Sequence, residues 1–189
     1  MKHSDTRERI VAKALLLFSR EGYEAVSVEQ IAAAVGIKAP SLYKHFSSKR
    51  DIFNAILRAM EQRDSEQAAA CDVPQQPIAD DPAAYESTSI QSLAAFSRQM
   101  LRYWTEDPFA SAFRRMLTVE QYRSAEMNAL YHQYLCAGPL SYVSDLLGSR
   151  QEALLFYAPM HMLYSLYDKS QDKEAVFSLL DAHLERWLS

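Results

Sequence analysis

The chain is predicted to be all-α. Apolar residues recur three and four positions apart nearly throughout, and no segment alternates apolar and polar as a half-buried strand does. Helix-start signals (Ser followed three residues later by Gln, Asp or Glu) and Gly or Pro stop signals divide the pattern into separate helices. The expected arrangement is a three-helix N-terminal domain over 1–48, containing a helix-turn-helix, and a C-terminal helical bundle over 49–189.

The first helix is expected from Asp5 to Arg20, burying Ile10, Ala14, Leu17 and Phe18 and stopping at Gly22. Ser27 is placed to cap the second helix, with Gln30 as its reciprocal partner in a capping box. Ile31 and Val35 form the apolar face, and Ala32 is small where another helix must approach. Gly36 closes that helix where a positive φ is needed, and Ile37 turns inward. Pro40 sits where the first turn of a third helix tolerates it, and Leu42 and Phe46 are that helix's buried pair. Two short helices across so tight a turn form a helix-turn-helix, whose second helix can enter a DNA major groove.

Ser48 should cap a fourth helix, with Asp51 at its third position. Its apolar face is Ile52, Phe53, Ile56, Leu57 and Met60, and it runs to about Ala70. Three prolines among residues 72–82 make that stretch a loop. A fifth helix starts near Pro82 and turns Leu93, Phe96, Met100, Tyr103 and Trp104 inward. Asp107 and Pro108 start a sixth. A seventh covers about Ser124 to Leu147, kinked or split at Gly138-Pro139 and ended by Gly148. Ser149 and Glu152 form a capping box for the eighth, and Ser170 caps the ninth, which runs to the C-terminus.

The segments Ile31–Ile37, Ser41–Phe46 and Ser48–Phe53, with the helix from Arg9 to Phe18 and its ending at Glu21-Gly22-Tyr23, closely resemble the DNA-binding domain of the TetR (tetracycline repressor-like) family. The resemblance covers about residues 5 to 60, and the remainder is only loosely like the family's helical ligand-binding domains. It implies a homodimeric transcriptional regulator, most often a repressor, that binds a palindromic operator in double-stranded DNA and is released by a small molecule. It also implies phosphate contacts for Tyr43 and His45. The chemistry agrees, since a phenol hydroxyl and an imidazole both donate to phosphate oxygens. Lys49 opens the fourth helix, where free backbone amides already favour an anion, and Ser27 stands near the same backbone. Base reading falls to Lys38, Ala39, Ser41 and Lys44 at the exposed start of the third helix. Lys38 and Lys44 serve a guanine edge or a phosphate equally well.

Charge is uneven. Residues 1–50 hold nine Lys or Arg against five Asp or Glu, a net of +4, while 51–189 hold eleven against nineteen, a net of −8. A basic head on an acidic body points the head at a polyanion. Cys71 and Cys136 lie outside any metal spacing, which makes a reducing cytoplasm the expected compartment. No apolar stretch reaches the length of a membrane span, so no membrane partner is expected. A glycine-rich phosphate loop, a nucleophile elbow and a metal motif are all missing, so neither an enzyme nor a cofactor or metal site is expected.

The body is rich in aromatic residues and methionine. Such residues at helical spacing are usually core. The resemblance nevertheless places an effector pocket between the fourth and eighth helices, and its candidate lining is Met100, Tyr103, Trp104, Phe113, Tyr157, His161 and Tyr164. An aromatic or amphipathic small molecule is the expected effector. The eighth helix is apolar nearly all round and the ninth carries a broad apolar stripe. Together they suggest a four-helix interface between two copies, through Ala158, Met162, Ser165, Leu180, Leu184 and Trp187. Two other readings stay open: a DNA-bound regulator without a small effector, controlled by a protein partner, and a helical enzyme with a vestigial helix-turn-helix.

Overall fold

The computed structural model describes residues 2–71, 73–74 and 76–189, and the side chains from residue 5 onward. Among them are eleven α-helices and no strand. They are α1 (Lys2–Glu21), α2 (Val28–Val35), α3 (Ala39–Leu42), α4 (Lys49–Ala69), α5 (Pro82–Ser87), α6 (Ile90–Glu106), α7 (Pro108–Glu120), α8 (Ala125–Leu135), α9 (Ala137–Leu147), α10 (Arg150–Lys169) and α11 (Lys173–Leu188). The expected loop over 72–82 is irregular where it is described, and Asp72 and Gln75 lie outside the described residues.

Two compact units divide the chain. The first holds the segment up to Ser65 together with Pro108–Leu130, and the second holds Glu66–Asp107 and Tyr131–Ser189. These units cut the chain elsewhere than the expected boundary at 48/49, because α1 packs along α7 and most of α4 stays with the head.

In the first unit α1 buries Ile10, Val11, Ala14, Leu15 and Phe18. Leu15 takes the inward place expected for Leu17, which is only half-buried. Ile31, Val35, Leu42, Phe46, Ile52, Phe53 and Ile56 complete this core with Phe113 and Met116 of α7. In the second unit α6 and α11 pack on α10, and α9 packs along it. Leu93, Leu101, Phe156, Met160, Leu163, Phe177, Leu180 and Leu184 are buried there.

The expected fifth helix is two helices. α5 ends at Thr88, and Ser89 opens α6 by accepting from the Ser92 N–H at 3.0 Å. The expected seventh helix is split into α8 and α9 at Cys136. Proline at 139 lacks the N–H that would continue the ladder. Gly138 packs so tightly on the preceding turn that a Cβ there would lie 2.0 Å from the Gln133 carbonyl oxygen. Ser149 caps α10, accepting from the Glu152 N–H, which is one half of the expected capping box. α11 is capped by Asp172 in place of Ser170, whose hydroxyl instead donates to the Asp172 carbonyl at 2.5 Å. A carboxylate directly before the helix accepts the free N–H of Ala175, which Ser170 stands too far back to reach.

Gly138→Ala is expected to lower unfolding free energy by about 1–3 kcal/mol, because backbone must move to admit the methyl group. Urea denaturation followed by circular dichroism measures it.

Candidate nucleic-acid interface

The helix-turn-helix is built from local rules. The Ser27 hydroxyl accepts from the Gln30 N–H at 3.2 Å, and the Gln30 side chain accepts from the Ser27 N–H at 2.7 Å. The capping box expected at this point is therefore complete. α2 ends in a Schellman motif: Ile37 N–H bonds the Ala32 carbonyl and Gly36 N–H the Ala33 carbonyl, both at 3.0 Å. Gly36 has φ +79°, which only glycine adopts freely.

α3 is a single α-helical turn, with Pro40 in its first turn. Mixed hydrogen bonds extend it as far as Phe46. His45 N–H reaches the Leu42 carbonyl at 2.8 Å, and Phe46 N–H reaches the same oxygen at 3.1 Å. Two arginines of α1 hold it in place. The Arg7 guanidinium donates to the His45 carbonyl at 2.5 Å and lies 4.1 Å from the centre of the Phe46 ring. Arg9 donates to the Val35 carbonyl at 2.8 Å and so covers the end of α2.

With Leu42 and Phe46 fully buried beneath, the opposite face of the turn is open. Lys38, Tyr43 and Lys44 are exposed, Tyr43 by 50 %. Ala39, Ser41 and His45 are half-buried beside them, and Ser27 is exposed at the start of α2. Seven of the eight residues expected at DNA thus lie on the exposed or partly exposed surface of α2, α3 and the α3 turn.

Lys49 is used differently. Its ammonium donates to the carbonyls of Tyr23 at 2.8 Å, Val26 at 3.1 Å and Glu24 at 3.3 Å. An ammonium has three N–H donors, and here all three have protein acceptors. It also lies 4.5 Å from the centre of the Tyr23 ring, which packs edge-on against Phe18 and Phe53. In place of the expected phosphate contact, Lys49 joins α4 to the α1–α2 corner. Sequence spacing could not reveal this, because the acceptors are backbone atoms 23 to 26 residues away.

The expected interface residues separate by face. Ala158, Met162 and Ser165 of α10 are exposed, Met162 by 67 %. Leu180 and Leu184 are buried within the chain itself, which corrects their assignment to a surface between copies. The exposed large apolar residues of α11 are Leu179 and Leu188, joined on α10 by Leu154, Leu155 and Leu166. Trp187 is half-buried, its ring edge-on to Phe156 at 5.2 Å.

Of the candidate effector residues, Met100, Tyr103, Trp104, Tyr157, His161 and Tyr164 belong to the second unit, and Phe113 is fully buried in the first. His161 is ringed by Tyr157 at 5.8 Å, Tyr131 at 6.2 Å and Tyr164 at 6.4 Å between ring centres. Its Nε2 is buried and has no hydrogen-bond partner among the described residues. Burial holds the imidazole below its ordinary value of 6.5, a shift only partly offset by the Leu135 backbone. The Tyr157 hydroxyl donates to the Leu135 carbonyl at 3.0 Å, and burial pushes its phenol well above the ordinary range. Among the described residues no helix is long and apolar enough to cross a membrane.

These features define an all-helical chain with a helix-turn-helix head. Residues 10–56 match the family model of bacterial regulatory proteins, tetR family. The chain is similar to the HTH-type transcriptional repressor ComR of Escherichia coli K12, 43 % identical over 51 residues that make up 27 % of this chain and 24 % of ComR. It is equally similar to IcaR of Staphylococcus aureus strain Newman, the negative transcriptional regulator of the biofilm operon icaADBC. That match is 43 % identical over 52 residues, 28 % of each chain. The chain therefore aligns with only about a quarter of the length of these relatives. A TetR-family regulator from Agrobacterium tumefaciens shares the fold over 97 % of this chain and 98 % of that one, with a TM-score of 0.67 and 18 % identity.

Lys44→Ala is expected to weaken binding to every duplex alike and to reduce the salt slope of binding by about one. Lys49→Ala is expected to leave that slope unchanged and to lower stability by about 1–3 kcal/mol, through three lost hydrogen bonds. Titrations at several salt concentrations, paired with thermal melts, separate the two roles.

Proposed function

We propose that the chain is a transcriptional repressor that binds a palindromic operator as a homodimer and is released by a small molecule. The observation that carries the DNA-binding part is the open face of α3: Lys38, Ser41, Tyr43 and Lys44 stand over a turn anchored by buried Leu42 and Phe46. Tyr43, His45 and Ser27 serve phosphates on this reading, Lys44 pairs with a phosphate through its ammonium, and Lys38, Ala39 and Ser41 face base edges. The names of ComR and IcaR, a repressor and a negative regulator, support the sign of regulation. The test is selection of duplexes from a random pool, followed by anisotropy titration. Enriched inverted half-sites bound by two chains support the reading, and a pool without enrichment overturns it.

Dimerisation is supported by the apolar residues that α10 and α11 leave outside. Leu155, Ala158, Met162 and Ser165 are spaced three, four and three residues apart on α10, and Leu179 and Ala182 are three apart on α11. This is the seam spacing of helices that pack side by side at a shallow angle. Met162→Glu is expected to give a monomer by sedimentation with the fold intact, because only the seam receives the charge. Leu180→Glu is expected to unfold the chain, because the charge is buried within one copy. A Met162→Glu chain that stays dimeric rules out this seam.

Effector binding is supported by His161. A buried ring nitrogen without a partner costs free energy that a ligand hydroxyl or carboxyl can recover. The surrounding tyrosine rings favour an aromatic or amphipathic compound. Folding favours the neutral imidazole, so its contribution to stability is complete above pH 6.5 and is lost as pH falls below that value. His161→Phe is therefore expected to flatten the acid side of the melting-temperature profile between about pH 5 and 7. The same variant should lose the thermal shift produced by any compound that releases DNA from the wild type.

A further inference from the structure

Among the described residues of the first unit, one turn of chain, residues 120–126, supplies two carboxylates that hold the head. Glu120, the last residue of α7, is 2 % exposed. Its Oε1 accepts from the Tyr23 N–H at 3.0 Å and from Arg123 Nη1 at 2.7 Å. A Cβ on Gly22 would lie 2.6 Å from that oxygen and 2.3 Å from Arg123 Nη1, and Gly22 has φ +90°. Glycine is thus required at this corner both for its conformation and for the room it leaves. The Tyr23 carbonyl in turn accepts from Lys49. The next residue, Arg50, donates through both terminal nitrogens to the two oxygens of Glu126, one contact being 2.7 Å. That guanidinium holds the Glu126 carboxyl below the usual carboxylate range.

These contacts close a ring: Glu120 to Tyr23, Tyr23 to Lys49, along the chain to Arg50, across to Glu126, and back through the 120–126 turn. The ring grips the head at two points, the α1–α2 corner and the first turn of α4. Everything expected to touch DNA lies between those points in sequence. The segment Pro108–Leu130 that carries the two carboxylates is continuous at both ends with the chain of the second unit.

We infer that Glu120 and Glu126 are positioning residues for DNA binding, setting the orientation of α2 and α3. The inference rests on the DNA-binding reading above. The alternative for Glu126 is a plain surface acid, and the two roles differ in sign. Removing an acid and releasing Arg50 would strengthen binding to any DNA by charge alone. Loss of a positioning contact instead weakens binding to the selected duplex only.

The test uses the full chain, the duplex enriched by the wild type and a random duplex of equal length. Glu126→Ala is expected to bind the enriched duplex about fivefold more weakly and the random duplex no more weakly than the wild type. Glu120→Ala is expected to lose about tenfold on the enriched duplex, with faster hydrogen exchange at the Tyr23 amide. Glu120→Gln retains an oxygen acceptor for that amide and should stay within about twofold of the wild type. If Glu120→Ala does not fold, Glu126→Ala decides the matter, since its pair lies at the surface. A wild type that binds its enriched duplex while Glu126→Ala binds it equally well or more tightly overturns the inference alone. A wild type that enriches no duplex overturns the DNA-binding reading and the inference with it.

Discussion

A helix of one turn does not hold its shape in water, since its nucleation cost exceeds what a single hydrogen-bonded turn returns. α3 is such a helix, four residues long, and much of the first unit serves to hold it. Leu42 and Phe46 are removed from water beneath it, which supplies roughly 1.5–3 kcal/mol each. Arg7 and Arg9 donate to the His45 carbonyl at the end of the α3 turn and to the Val35 carbonyl at the end of α2. The Schellman turn at Gly36 fixes the angle at which α3 leaves α2. What faces outward is then a short polar surface carried on a backbone fixed from beneath.

The parts of this design that were legible in the sequence are those whose partners lie within four or five residues. The Ser27–Gln30 box, the Gly36 ending, the Ser48 cap of α4 and the break near Gly138-Pro139 are all local. Pairing between distant segments was not legible. Lys49 reads as a free cation at a helix start, and only the fold brings three carbonyls of the α1–α2 corner to it. The buried acid Glu120 carries no sequence signal either, because its acceptor role depends on a backbone N–H 97 residues away. Gly22 held half of that information. Its role as the stop of the first helix is visible in sequence, but the carboxylate lying against it is not.

Amphipathic patterning showed a similar limit in α10 and α11. Apolar residues nearly all round a helix indicate burial on two sides, yet they do not say which residues face which side. In α11 the inward face is Val176, Phe177, Leu180 and Leu184, and Leu179 is left outside one residue away. A step of one residue turns a helical side chain by about 100°, enough to move a leucine from core to surface. On the proposed reading the outer residues of α10 and α11 serve a second copy, since the inner ones are already buried in the chain's own core.

The polar ring and the apolar core constrain the head in different ways. Burial of Ile10, Phe18, Phe46 and Phe53 sets the stability of the first unit and tolerates small sliding motions, because the attraction is not directional. The ring contacts are directional: a shift of one ångström breaks a hydrogen bond of 3.0 Å that dispersion contacts would survive. The Arg50–Glu126 pair is about half exposed, and an exposed pair contributes only about 0–1 kcal/mol. A coupling free energy of about 1–3 kcal/mol between effector and DNA is larger than that. On the proposed reading, an effector therefore need not disturb the core to release DNA. It has only to favour a state in which these directional contacts no longer close.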